Sequence, residues 1–206
     1  MTSRFIKEKF HVHDPQARKV HRHGDAAKRP SFSLREGNIF FLGPRGSGKT
    51  TLALEVASLL NTEMIDTDTE VERLAGCSIS DIVSRQGWEA FRDREEEVLR
   101  RVCAMPGRAV ATGGGIVLRE GNRDLLRQSG PVFYLLADVP LLLQRLQAEA
   151  NETKRPALTG LPLQEELTQT LRERDPLYQE CLDFILPAHR TPQELADSVL
   201  QTLGIE

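Results

Sequence analysis

At 206 residues, with 39% hydrophobic and 28% charged residues, the chain is sized for one substantial core in one domain. No apolar run approaches the roughly 20 residues that span a bilayer, and the polar, basic N-terminus carries no signal-peptide pattern. The net charge of −3 is uneven: residues 1–37 hold nine Lys/Arg against four Asp/Glu, the remainder eighteen against twenty-six, and an acidic body argues against nucleic-acid binding.

In chain order, residues 1–37 show no clear periodicity. Their two H-x-H pairs, His11/His13 and His21/His23, lack further ligands, so the segment reads as a disordered, solvated basic extension ahead of a domain over 38–206. Asn38–Leu42 is an apolar run with the character of a buried strand, and Thr51–Leu60 has helical spacing. Glu63-Met64-Ile65 predicts a short strand ending in Asp66-Thr67-Asp68. Helical patterns cover roughly 69–75, 78–86 and 88–103, with Ser78 and Asp81 placed as a capping box.

Arg108–Thr112 predicts a strand that runs into Gly113-Gly114-Gly115, and a helix follows near 120–128. Pro131–Leu136 is a strongly apolar strand, and a helix covers about 139–148. Residues 149–162 are polar, with Pro156, Gly160 and Pro162, and predict a mobile, lid-like surface segment. A long helix near 163–180, a strand over Leu182–Leu186 and a helix over 192–203 complete the chain. Five strands alternating with helices predict an α/β protein with a parallel sheet covered on both faces, whose ligands sit beyond the strands' carboxyl ends. Cys77, Cys103 and Cys181 are far apart and form no C-x-x-C pair, so neither a disulfide framework nor a zinc site is expected, and the setting reads as reducing and cytoplasmic.

Between the first strand and helix, residues 43–50 read Gly-Pro-Arg-Gly-Ser-Gly-Lys-Thr and fit the phosphate-cradling pattern G-x-x-x-x-G-K-[ST]. Glycines let the backbone curl with its N–H groups inward, at the positive end of a helix. Gly43, Gly46, Ser47, Gly48, Lys49, Thr50 and Thr51 are therefore the expected nucleotide-binding set. Lys49 should reach the β- and γ-phosphates of ATP, and the Thr50 hydroxyl should ligate Mg²⁺. Asp66 and Asp68 close the second strand; one carboxylate can hold the metal and the other accept a proton from an attacking hydroxyl, with helix capping as the plain alternative.

Arg92 and Glu95 share a helix face; an inward Arg92 suits a bidentate grip on a carboxylate, although spacing alone favours a surface ion pair. The run Gly113–Gly115 is costly in chain entropy and points to close backbone approach to a ligand. Arg155, in Lys154-Arg155-Pro156, suits a lid cation that stabilises a transferring phosphoryl group, and Arg174 either caps helix carbonyls or faces the acceptor.

Taken in order, these motifs resemble the shikimate kinase family over Asn38 to the C-terminus: the P-loop, Asp66-x-Asp68, Phe91-Arg92-x-x-Glu95, Gly113–Gly115, Arg155-Pro156 and Arg174-x-Pro176-Leu177-Tyr178. Gly43-Pro44-Arg45-Gly46 and Arg155-Pro156-Ala157-Leu158-Thr159-Gly160 are similar to its type II branch. The resemblance implies the three-layer α/β/α P-loop kinase fold, with a five-stranded parallel sheet in order 2-3-1-4-5. It implies transfer of the ATP γ-phosphate to the 3-hydroxyl of shikimate by a cytoplasmic monomer, with no nucleic-acid or membrane partner. By the same resemblance Asp68 binds the acceptor hydroxyls and takes the proton, Asp66 supports Mg²⁺, and Arg92 and Arg174 clamp the shikimate carboxylate. Glu95 orients Arg92 or the substrate, Gly114 and Gly115 contact the acceptor ring, and Arg155 closes over the phosphates. Arg145, and Arg190 with Pro192, lie near the adenine. The rival readings are another small-molecule kinase of the same fold, acting on gluconate or a nucleoside monophosphate, and a nucleotide-binding regulatory module without turnover.

Overall fold

Four consecutive apolar residues with no exposed surface, Ile39–Leu42, form the central strand β1. Successive side chains on a strand point to opposite faces. Ile39 and Phe41 therefore enter one core cluster, and Phe40 and Leu42 the other. A strand buried on both faces needs a helical layer on each side, which explains the continuous apolar run.

The computed structural model describes residues 18–19, 32–35, 37–150 and 162–205. After β1 come α1 (Lys49–Leu59), β2 (Glu63–Asp66), α2 (Thr67–Ala75), α3 (Ile79–Cys103), β3 (Arg108–Ala111) and a single 3₁₀ turn over Ile116–Leu118. They are followed by α4 (Glu120–Ser129), β4 (Val132–Leu136), α5 (Val139–Ala150), α6 (Leu163–Cys181), β5 (Phe184–Pro187) and α7 (Pro192–Leu203). The five strands are parallel, in the order β2-β3-β1-β4-β5. On one face α1 and α7 supply Leu52, Val56, Leu195 and Val199; on the other α3, α4 and α6 supply Val98, Leu99, Leu126 and Tyr178. The result is the α/β/α layering and strand order that the motifs imply.

Three features depart from the sequence expectation or sharpen it. A sixth strand of two residues, Arg18–Lys19, pairs antiparallel with β5, Arg18 opposite Ile185 and Lys19 opposite Phe184. The outer edge of β5 offers unpaired backbone groups, and a passing extended segment satisfies them. Phe32 and Leu34, counted with the extension above, pack partly buried against the core. The helices expected over 78–86 and 88–103 run end to end as α3, with the break at Gly87, whose φ of 84° and ψ of 172° are not helical. Ser78 caps α3 by accepting the Asp81 N–H at 3.1 Å. The expected lid lies mostly outside the described residues: α5 continues to Ala150, and Pro162 opens α6.

Asn38 joins three elements at the start of β1. It is fully buried, its Nδ2 donates to the Val102 carbonyl at 3.0 Å, and its Oδ1 accepts the Arg108 N–H at 2.9 Å. Asn38→Ala leaves both backbone groups buried without that partner, so urea denaturation should show a loss of about 3 kcal/mol of unfolding free energy. A loss indistinguishable from zero would mean that water replaces the amide.

Candidate active site

The parallel register aligns the carboxyl ends of β1, β2 and β3, with Asp66 opposite Ala111. The turns that follow these three strands therefore meet. After β1, Gly46 and Gly48 take φ of 79° and 97°, a region closed to most side chains, and Gly48 is the N-cap of α1. The loop thus delivers its backbone to the helix N-terminus, where N–H donors and the helix dipole favour phosphate. Lys49 is buried and its Nζ donates to the Pro44 carbonyl at 2.9 Å. Ser47 is buried beneath Gly43, and Thr51 lines the cleft from the first turn of α1.

Thr50 Oγ1 donates to Asp66 Oδ2 at 2.7 Å, which brings the loop hydroxyl onto the second strand's carboxylate. Asp66 Oδ1 accepts the N–H groups of Asp68 and Thr69 at 3.0 and 3.3 Å. Asp66 is therefore the cap of α2, while Asp68 turns toward the glycine run.

Gly113–Gly115 is the meeting point of the site. Thr67, fully buried, accepts the Gly113 N–H at 2.8 Å. A Cβ on Gly113 would collide with Asp68 Oδ1 and lie 2.8 Å from Glu95 Oε1; one on Gly115 would collide with the Arg92 guanidinium. The Gly114 position lies 3.5 Å from the Arg45 nitrogen and the Gly43 carbonyl oxygen. The run does allow close approach, and the groups that approach are the site's own side chains and the phosphate loop, where the sequence reading expected a ligand.

Arg92 and Glu95 form an ion pair at 2.5 Å, with Arg92 only 8% and Glu95 only 1% exposed. The surface ion pair that spacing favours is thus replaced by a buried one. The break at Gly87 turns the second half of α3 so that Trp88, Phe91, Arg92 and Glu95 face the cleft. The Arg92 guanidinium lies 4.8 Å from the Phe91 ring centre and 5.6 Å from that of Trp88, within cation–π range. Burial pushes the Glu95 carboxyl above the usual carboxylate range; Arg92 opposes that shift, Asp68 adds to it and Arg174 opposes it. Asp68, Arg92, Glu95 and Arg174 thus form one electrostatic cluster.

Arg145 spans carbonyls: its guanidinium donates to Ser47 at 2.9 Å, Gly46 at 3.3 Å and Ala188 at 2.7 Å. It ties the phosphate loop to the turn after β5, where Arg190 is half-buried and its N–H donates to the Pro187 carbonyl at 3.2 Å. Arg155 lies outside the described residues. A cleft of about 580 Å³ connects Lys49, Thr50, Asp66 and Asp68 to Arg92, Glu95 and Arg174. Its wall includes residues that sequence reasoning passed over: Trp88, and Glu166, only 2% exposed. Trp88 stands one helical turn before Arg92, an i, i+4 spacing that would have placed it on the same face. Nothing in the local sequence marks Glu166.

A phosphate loop and a cationic pocket that share one cleft across a five-stranded parallel sheet define a P-loop kinase of small molecules. The family model for shikimate kinase matches residues 45–204. A curated relative, shikimate kinase 2 of Enterobacter sp. (strain 638), is 44% identical over 81% of this chain and 95% of its own. Among solved structures, shikimate kinase from Acinetobacter baumannii in complex with shikimate is 37% identical, with a TM-score of 0.76 over 84% of this chain and 96% of that one. Shikimate kinase from Bacteroides thetaiotaomicron is 25% identical, with a TM-score of 0.76 over 82% and 99%. The chain belongs to the shikimate kinase family.

Gly113→Ala forces Asp68 and Glu95 apart without touching the hydrophobic clusters. It should lower kcat/KM about a hundredfold while the melting temperature stays near that of the parent. Equal turnover in the two proteins would show that the approach at this glycine is dispensable.

Proposed function

We propose that the chain transfers the γ-phosphoryl group of ATP to the 3-hydroxyl of shikimate, with the residue roles that follow. The observation that carries this reading is the convergence at Gly113–Gly115, where Asp68, the Arg92–Glu95 pair and the phosphate loop all touch the same three residues. Phosphoryl transfer asks a protein mainly for in-line positioning and neutralisation of charge. The 43–50 loop cradles the phosphates and Lys49 neutralises the β- and γ-oxygens. Asp68, beside the glycine run, accepts the proton of the attacking hydroxyl. Arg92 and Arg174 hold the acceptor carboxylate, and Glu95 keeps Arg92 in position. The resemblance gives Arg155, outside the described residues, a role against the phosphates, and gives Arg145 and Arg190 one beside the adenine.

Thr50 and Asp66 supply one hydroxyl and one carboxylate oxygen side by side, a donor set that suits Mg²⁺, which takes its other ligands from water and phosphate. Thr50 and Asp66 would hold the ion, which would supply neutralisation of the charge that develops on the phosphates. The three cysteines are unpaired, in keeping with a reducing, cytoplasmic setting. Among the described residues no helix is long and apolar enough to cross a membrane. We take the enzyme to act as a monomer, which size-exclusion chromatography checks.

A coupled ADP-release assay with shikimate, gluconate and a nucleoside monophosphate tests the acceptor: shikimate should be turned over fastest, and a faster rate with either rival would displace the reading. Asp68→Asn should lower kcat by about 10²- to 10⁴-fold with a modest change in shikimate KM. Arg92→Ala should raise shikimate KM about 10- to 100-fold and leave the KM for ATP unchanged. Chelation with EDTA should abolish turnover and added Mg²⁺ restore it; full activity in EDTA would remove Thr50 and Asp66 from metal binding.

A further inference from the structure

The motif Arg174-Asp175-Pro176-Leu177-Tyr178 brings more to this cleft than its arginine. Tyr178 is fully buried on α6, behind the cleft wall, and its hydroxyl donates to the Gly114 carbonyl at 2.5 Å. Arg174 stands one helical turn earlier on the same helix and lines the cleft. The phenol O–H is a donor, and here it ties α6 to the middle residue of the glycine run.

The ring itself is fixed from the other side. It stacks on Tyr134 of β4, with centroids 5.0 Å apart and 21° between planes. Tyr134 in turn donates to Asp175 Oδ1 at 2.7 Å, and Gln179 Nε2 donates to Asp175 Oδ2 at 2.8 Å. Burial raises the Tyr178 phenol above the ordinary tyrosine value, with Arg174 opposing the shift, so it stays protonated and remains a donor at neutral pH.

We propose that Tyr178 is a positioning residue of the shikimate site, whose hydroxyl pins the Gly114 carbonyl and so fixes the glycine run against which Asp68, Glu95 and Arg92 pack. The proposal rests on the shikimate kinase reading for its kinetic consequence, and on the Gly114 hydrogen bond for its structural one. Glycine residues do not hold their own conformation, since they lack the steric limits that a Cβ imposes. The Gly113 N–H is held by Thr67, and the Ile116 and Leu118 N–H groups return to the Gly113 and Gly115 carbonyls. The Gly114 carbonyl is secured by the Tyr178 side chain from α6.

Tyr178→Phe keeps the stacked ring and removes only the hydroxyl, and Tyr134→Phe removes the neighbouring buried hydroxyl as a control. Steady-state kinetics with shikimate and ATP varied separately, amide hydrogen exchange over residues 112–118 and thermal melting are read on all three proteins. Tyr178→Phe should raise shikimate KM about tenfold, leave the KM for ATP unchanged and speed exchange in 112–118. Tyr134→Phe should lower the melting temperature without either effect. The proposal is overturned if Tyr178→Phe leaves shikimate KM and exchange at parent values, if it shifts both KM values alike, or if Tyr134→Phe reproduces the same split. Should the parent protein fail to phosphorylate shikimate, the proposed function falls, and the exchange comparison still decides whether the hydroxyl orders Gly114.

Discussion

Charged groups on α2 and α3 stand close together because the three consecutive residues that follow β3 have no side chains. Asp68 and Glu95 press on Gly113, Arg92 presses on Gly115, and the phosphate loop lies against Gly114. Any Cβ at the first or third position would push a functional side chain away. The entropy lost in ordering three glycines is offset by contacts around them: the Thr67 hydroxyl on the Gly113 N–H, and the Tyr178 hydroxyl on the Gly114 carbonyl. The rest of the fold presents these partners. The register of β2 with β3 brings Thr67 into reach, and the stacking of α6 on β4 brings Tyr178.

The same closeness raises an electrostatic difficulty, which the site answers by pairing. Arg92 and Glu95 are nearly excluded from water, and a lone charge there would be strongly disfavoured. Each compensates the other, and the two aromatic rings beside Arg92 add attraction without needing water. A buried pair of this kind adds little to stability compared with apolar residues of similar size. Its presence at a cleft wall is better understood as preparation: the guanidinium is already desolvated and oriented before an anion arrives.

Much of this was legible in the sequence because it is local. The P-loop octet, the strands' apolar runs and the order of elements all follow from residues close in the chain, and Gly87 marked the break inside α3 between two helical patterns. The role of Asp66 was half legible. Strand-end spacing placed both aspartates at the site without telling them apart; the family resemblance assigned Asp66 to the metal and Asp68 to the acceptor, and the structure adds that Asp66 caps α2 and accepts from Thr50 while Asp68 lies at the glycine run. The buried state of Arg92 and Glu95 was not legible from spacing, since an i, i+3 pair looks the same on a wet or a dry face; only the family resemblance turned it inward. Thr67, Asn38 and Glu166 were missed for one reason: their partners or surroundings come from elsewhere in the chain, as with Asn38 and Arg108, and single-sequence periodicity does not see such pairs. The two-residue strand at Arg18–Lys19 is a tertiary effect as well, since the free edge of β5 dictates it and the segment itself carries no strand pattern.

The cleft separates two tasks that kinases of this architecture must combine. Phosphate binding rests on β1, α1 and backbone N–H groups, a construction that any nucleoside triphosphate satisfies and that carries no information about the acceptor. The charged side chains that share the cleft with it come from α2, the second half of α3 and α6. A guanidinium has five N–H donors in a rigid fork. Glu95 engages Arg92 through one nitrogen, so that arginine is oriented by a protein partner while its other donors are left for further groups. A lysine there would supply charge without that fork, and its ammonium would lose the aromatic stacking that holds Arg92. The positions of Arg92 and of Gly114 are thus set by partners on the helices, Glu95 on α3 and Tyr178 on α6.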